Sequence, residues 1–182
     1  MIPEYKRFHG AVLAELVDRS PQAISIEEWP DRGRLASYII NNQIGLYIKH
    51  SGSRLYPWQF TFTRGNFDTI RVLQSRCRKV FVVLVCWVDG MVSIAENELV
   101  PAFPEGTEQL WLRAERRKGE WYTVSGPMLT SEIKRPNGVD SLMEELQLTY
   151  IKQPETLESP RISSFFRATY WKKLLGDISD LK

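Results

Sequence analysis

The sequence predicts an α+β fold in which a mixed or antiparallel sheet of about six strands is flanked by helices. Several short runs alternate between apolar and polar residues, which is the pattern of a strand buried on one face. Other stretches repeat apolar residues at the spacing of an amphipathic helix. Asn, Gly, Pro and Ser residues separate these runs, so each run is expected to form its own element.

The first predicted element is a helix from Phe8 to Val17. Four apolar residues share one of its faces: Phe8, Ala11, Val12 and Leu16. Glu15 falls in the middle of the same face, so we expect its carboxylate to be partly buried. A short strand from Ala23 to Trp29 and a loop from Trp29 to Gly33 follow.

Three strands are predicted next, and they are Leu35–Asn41, Ile44–His50 and Trp58–Thr63. Asn41 and Asn42 suit a tight turn between the first two strands. Along the second strand, Ile44, Leu46 and Ile48 point to one side, whereas Gly45, Tyr47 and Lys49 point to the other. The third strand alternates in the same way, so each of these two strands has two distinct faces.

A helix and a buried strand follow. Asn66 is the predicted N-cap of a helix from Phe67 to about Arg78. Val80–Trp87 is apolar without alternation, which indicates a central strand covered on both faces. Asp89 and Gly90 then form the predicted hairpin turn into a strand, Met91–Ala95.

The second half is predicted to hold a hairpin and a helix. Gln109–Ala114 and Glu120–Val124 read as strands joined by a basic turn around Arg116, Arg117, Lys118 and Gly119. Ser141 and Glu144 fit a capping box for a helix that runs to about Leu148. Residues 1–150 are therefore predicted to form a single α+β domain.

Residues 151–182 are predicted to be a polar linker followed by a C-terminal amphipathic helix. Ser163 or Ser164 caps this helix, and it runs to about Leu175. Because short helices are rarely stable without packing, we expect it to fold back on its own domain. Docking to a partner protein, exchange within a homodimer and binding to an anionic membrane are the alternatives.

Composition and missing motifs exclude several classes of function. The chain of 182 residues is 43% hydrophobic and 25% charged, with a net charge of +2, which is ordinary for a soluble globular protein. Cys77 and Cys86 have no CxxC spacing, and His9 and His50 have no ligand-like neighbours, so neither a zinc site nor a disulfide framework is predicted. Phosphate-binding glycine loops and serine-hydrolase motifs are absent from the sequence. A membrane-spanning run is absent too, and we expect a cytoplasmic protein.

A cluster of basic and aromatic residues gives the most direct functional prediction. Arg and Lys can neutralise phosphates, and exposed Tyr can stack on bases, so we expect contact with DNA or RNA. The predicted nucleic-acid-binding residues are Tyr47, Lys49, Arg54, Tyr56, Arg64, Arg71, Arg116 and Arg117. The alternative is that the aromatic side chains form core and the arginines form a solvated face.

The order helix, three strands, helix, buried strand over residues 8 to 88 resembles the core of the PD-(D/E)xK nuclease superfamily. That resemblance implies a helical Glu, matched by Glu15, and a strand Lys, matched by Lys49, as candidate catalytic residues. It also implies Mg²⁺ or Mn²⁺ held by strand carboxylates. Here the residue two before Lys49 is Tyr47, and no Asp or Glu lies between Arg32 and Asn66.

The missing strand acids predict a nucleic-acid-binding protein with a degenerate, non-catalytic nuclease-like core and no cofactor. One alternative is a protein–protein interaction module that uses the acidic stretch Asp89–Glu108 and the C-terminal helix. The other is a metal-dependent nuclease with relocated acids, in which Glu15 acts with Glu27 or Glu28 and Mg²⁺ or Mn²⁺.

Overall fold

A computed structural model of the protein describes residues 1–29 and 37–152, and the side chains as far as residue 147. Residues Met1–Leu148 form one compact unit. Three predictions fall outside the described residues: most of the Trp29–Gly33 loop, the polar linker and the C-terminal helix. No helix in the described part of the chain is long and apolar enough to cross a membrane.

The described residues confirm the α+β class, with three helices and nine strands in two sheets. In chain order the elements are α1 (Glu4–Arg19), β1 (Ile26–Glu28), β2 (Ser37–Ile40), β3 (Ile44–His50), β4 (Trp58–Thr63), α2 (Arg64–Arg76), β5 (Lys79–Cys86), β6 (Gly90–Ala95), β7 (Gln109–Glu115), β8 (Tyr122–Ser125), β9 (Ile133–Arg135) and α3 (Asp140–Lys152). A short 3-10 helix, Glu96–Glu98, follows β6.

The first sheet is mixed and has the strand order β1-β2-β3-β5-β6. β3 and β5 are its parallel pair, with Ile44 opposite Lys79, and its other pairs are antiparallel. Every residue of β5 after Lys79 is buried, which confirms the predicted central strand. Asn41 and Asn42 have left-handed φ angles of 50° and 56°, as the predicted tight turn between β2 and β3 requires.

The second sheet is antiparallel and has the order β4-β7-β8-β9. β4 therefore leaves the sheet of its sequence neighbours and pairs with β7, so the strands predicted as one sheet are divided between two. Trp58, Phe60 and Phe62 point into the core, and the intervening polar residues face solvent. Local alternation reveals which face of β4 is buried, but pairing with β7 depends on contacts distant in sequence.

Two hydrophobic cores lie on opposite faces of the first sheet. One contains the buried side chains of α1 and α3 together with Ile44, Leu46 and Ile48 of β3. The other contains α2, the inner face of the second sheet and Tyr47 of β3. Because both faces of β3 are covered, its alternation separates two cores and does not separate core from solvent.

α2 begins and ends earlier than predicted. Its N-cap is Thr63, and Asn66 occupies the third helical position, where its Oδ1 accepts a hydrogen bond from Thr63 N at 3.0 Å. The helix can pack closely on β3 because Gly45 has no side chain. A Cβ atom added at Gly45 would lie only 3.1 Å from Leu73 Cβ. The predicted N-cap at Asn66 is therefore wrong, and Asn66 completes a capping box with Thr63.

Candidate nucleic-acid interface

The two candidate catalytic residues, Glu15 and Lys49, lie on opposite faces of the first sheet. Glu15 is half-buried on α1, 3.5 Å from Arg19, whose guanidinium also binds Asp140 at 2.5 Å. Lys49 points to the other face, towards α2 and β4. The sheet therefore separates the two side chains, and they do not share a cleft.

Lys49 is a half-buried cation with a neutral partner. Its Nζ donates a hydrogen bond to Asn66 Oδ1 at 3.1 Å and lies 5.3 Å from the centroid of the Phe62 ring. Burial lowers the pKa of Lys49 because removal of water disfavours the charged form. These contacts tie β3 to the start of α2, which makes Lys49 a structural residue more than a phosphate contact.

The geometry does not favour the alternative of a metal nuclease with relocated acids. Within residues 1–29 and 37–152, no three His, Cys, Asp or Glu side chains are close enough together to hold a metal ion. Glu27 and Glu28 are exposed on β1, at the edge of the first sheet.

Tyr47 does not have the surface position that base stacking needs. It is only 2% exposed and packs with Phe62, whose ring centroid lies 6.4 Å away. The outward face predicted for Tyr47 is covered by α2 and the second sheet. The alternative interpretation of this side chain as core is therefore the correct one.

Three loops meet at the carboxyl ends of β3 and β5, and we call this region the loop edge. They are the β3–β4 loop (51–57), the β5–β6 turn (87–89) and the β7–β8 loop (116–121). Arg54 in the first loop stacks over the Trp87 ring at 5.6 Å. Arg116 in the third binds Asp89 in the turn, so direct contacts connect all three.

Asp89 is the central acceptor of the loop edge. Its Oδ2 accepts hydrogen bonds from Arg116 Nε and from Tyr122 Oη, each at 2.5 Å, while Arg116 Nη2 donates to the Asp89 carbonyl at 2.7 Å. The hydrogen bond to Asp89 raises the pKa of Arg116, and burial is the main cause of the raised pKa of Tyr122. The Arg116 side chain is only 15% exposed and is held by Asp89, so this predicted phosphate contact braces the loop edge.

Two large aromatic side chains of the loop edge are exposed. Tyr56 is 59% exposed and Trp121 is 62% exposed, and both line a cleft of about 270 Å³. The exposed Arg117 lines the same cleft, together with Arg116, Glu115 and Glu120. Leu55, beside Tyr56, is 78% exposed. Because exposed apolar groups close together are a common feature of binding surfaces, this cleft is the candidate site.

The two predicted arginines of α2 are exposed, and their guanidinium groups lie over aromatic rings. Arg64 lies 5.0 Å from the Phe103 ring centroid and donates a hydrogen bond to Pro104 O at 3.3 Å. Arg71 lies 5.8 Å from the Phe67 ring centroid. Both arginines belong to a different element from the loop edge, and their contact with phosphates stays a prediction.

Much of the acidic stretch is bound within the protein. Glu96 lies 3.4 Å from Lys79 Nζ and accepts a hydrogen bond from Val80 N. Glu98 pairs with Arg135. Asp89 is exposed but is engaged by Arg116 and Tyr122, so the protein-interaction alternative rests on Glu105 and Glu108, which are exposed too.

Sequence reasoning missed Trp121, Trp87 and Asp89 as residues of the site. The sequence pattern places Trp121 in a strand, whereas β8 begins at Tyr122, and the position of Trp121 just after the basic turn is the signal of its exposure. The pattern places Asp89 in a hairpin turn, and its contact with Arg116 spans 27 positions. Comparison with protein-family models, curated proteins and solved structures found no match to this chain.

Proposed function

We propose that the protein binds nucleic acid through the loop edge. The exposure of Tyr56 and Trp121 in one cleft, beside the exposed Arg117, carries this proposal. Stacking of a base on an aromatic side chain contributes about 1–3 kcal/mol and tolerates any base, since every base has a π face. The arginines supply the complementary attraction to phosphate.

The charges of the loop edge favour a strand held by few phosphate contacts. Arg54, Arg117 and Lys118 are exposed and positive. Glu115 pairs with Arg113, and Glu120 keeps a negative charge at the cleft, so the surface is mixed. With three phosphate contacts to a single strand, log K should fall with log salt at a slope of about −2. Stacking therefore supplies a large share of the affinity.

The element order supports a nuclease-like ancestry for the binding core. The chain order α1, β2, β3, β4, α2 and β5 is the order that the resemblance to the PD-(D/E)xK core implies, and β3 and β5 pair in parallel. β4 departs from that core because it joins the second sheet, so only two of the three predicted strands share a sheet with β5. Lys49 has no strand carboxylate two residues before it, which supports binding without metal-dependent cleavage.

Fluorescence anisotropy with labelled oligodeoxythymidine and with duplex DNA, at several salt concentrations, tests the proposal. Tyr56→Ala and Trp121→Ala should each weaken binding about tenfold, because each removes a stacking surface. Trp111→Ala is the matched control, since Trp111 is 40% exposed on β7 and outside the loop edge.

The proposal fails if the wild-type protein binds no oligonucleotide at low salt or binds equally at all salt concentrations. It also fails if Trp111→Ala weakens binding as much as Trp121→Ala does. Thermal melts of each variant separate loss of binding from loss of folding. Recovery of a protein partner without nucleic acid in a pulldown favours the interaction-module alternative.

A further inference from the structure

An apolar cavity of about 370 Å³ lies between α1 and the β5–β6 turn, next to the loop edge. Its lining residues are Arg7, Phe8, Ala11, Val85, Trp87, Val88, Gly90 and Met91. Its volume falls in the range of about 300–1,000 Å³ typical of small-ligand sites, which are mostly apolar with a few polar groups. Arg7 is the charged residue of this lining.

The turn that borders the cavity is held in an unusual conformation. Trp87 has a φ of 53°, a left-handed value that is rare for a bulky side chain and often occurs at binding sites. The next residue, Val88, is 86% exposed. Asp89 stabilises the turn through its N–H, which donates to Cys86 O at 3.0 Å, and through its bonds to Arg116 and Tyr122.

The Trp87 ring connects the cavity to the loop edge. Its centroid lies 5.4 Å from that of Phe8, which also lines the cavity, and the Arg54 guanidinium lies 5.6 Å from the Trp87 centroid. Arg7 lines the cavity, so two cations lie close to this pair of aromatic rings. Aromatic rings with cations close by match a base whose neighbouring phosphates need neutralisation.

We propose that this cavity receives one unstacked base of a single strand, with the flanking phosphates near Arg7 and Arg54. The inference rests on the proposed nucleic-acid binding and adds a site to it. A base paired in a duplex cannot enter without leaving the stack, which costs a few kcal/mol. The protein should therefore prefer single strands to blunt duplex of the same length.

Filling the cavity tests this assignment without removing any contact. Ala11 is exposed on α1 and lines the cavity, so Ala11→Phe should occupy the base position. Ala14→Phe, at an exposed position of the same helix away from the cavity lining, is the matched control. In anisotropy titrations with oligodeoxythymidine, Ala11→Phe should weaken binding about tenfold, and Ala14→Phe should bind like the wild type.

Arg7→Gln gives a second readout if Ala11→Phe unfolds the helix. It should weaken binding severalfold and reduce the magnitude of the salt slope by about 0.7, whereas Lys6→Gln, on the neighbouring position, should change neither. Equal binding by Ala11→Phe and Ala14→Phe overturns the cavity assignment while leaving the loop edge intact. The absence of a preference for single strands overturns the cavity assignment and the stacking on Tyr56 and Trp121 together. Absence of all binding by the wild type overturns the proposed function itself.

Discussion

Lys49 and Arg54 are close in sequence but have opposite environments. Lys49, at the end of β3, is half-buried, bound to Asn66 and close to Phe62. Arg54, in the following loop, is exposed and stacks on Trp87. The same contrast divides the molecule into a packed half, whose polar groups are bonded within the protein, and the loop edge, whose exposed groups carry the proposed binding. Asp89 belongs to both, because it is a loop-edge residue with a buried partner, Tyr122.

Removal of the Asp89 carboxylate is the strongest way to break this division. Asp89→Ala leaves the Tyr122 hydroxyl and Arg116 Nε without their acceptor, so we expect a loss of about 3 kcal/mol in the free energy of unfolding. Binding should weaken as well, since the β5–β6 turn and the β7–β8 loop lose their connection. Urea unfolding and anisotropy titrations measure the two effects.

Glu105→Ala is the control for Asp89→Ala, because Glu105 is an exposed acid of the same sequence stretch. It should change the free energy of unfolding by less than about 0.5 kcal/mol. Asp89→Asn retains an acceptor oxygen, so its free energy of unfolding should lie between those of Asp89→Ala and Glu105→Ala. If Asp89→Ala is no less stable than Glu105→Ala, Asp89 does not brace the loop edge.

His9 gives the packed half a pH dependence. Its Nδ1 lies 2.9 Å from Tyr38 Oη, and burial, followed by the charge of His50, lowers the pKa of His9 from 6.5 to about 4. The unfolded chain therefore binds a proton between pH 6.5 and 4 that the folded protein does not, and acidification through this window favours unfolding. Between pH 6.5 and 5 we expect a loss of about 1.5 kcal/mol, measured by urea unfolding at each pH.

His9→Asn separates this effect from other titrating groups. The Asn amide can still hydrogen-bond to Tyr38 but does not titrate. The free energy of unfolding of the variant should therefore fall less between pH 6.5 and 5 than that of the wild type. His50, which stacks on Phe8 and has a pKa lowered mainly by burial, acts in the same direction and remains in the variant. Parallel pH profiles of the two proteins would assign the acid sensitivity to groups other than His9.

The contrast between the two halves also explains which features the sequence could predict. The faces of β3 follow from local alternation, and Ile44, Leu46 and Ile48 do lie together in one core. The fate of Tyr47 depends on β4 pairing with β7, which local patterns do not encode, so a residue predicted to be outward is buried. The exposure of Arg54 and Tyr56 could be predicted because loops are exposed by default. Arg116 was predicted to be free because its partner, Asp89, is distant in sequence.

Lys49→Met and Arg54→Met make the same type of substitution at a half-buried cation and at an exposed one, so together they test whether the packed half and the loop edge differ in role. Lys49→Met removes a desolvated ammonium from a site beside Phe62 and leaves Asn66 bonded to Thr63, so binding should stay unchanged and stability should shift by less than about 1 kcal/mol. Because burial lowers the pKa of Lys49 below 10.5, any gain in stability from Lys49→Met should diminish as the pH rises towards 10.5.

Arg54→Met should leave stability within about 0.5 kcal/mol of the wild type and weaken oligonucleotide binding severalfold, with a shallower salt slope. If Lys49→Met weakens binding as much as Arg54→Met does, the half-buried lysine contacts the strand, and the binding surface extends from the loop edge to the cleft between β3 and α2.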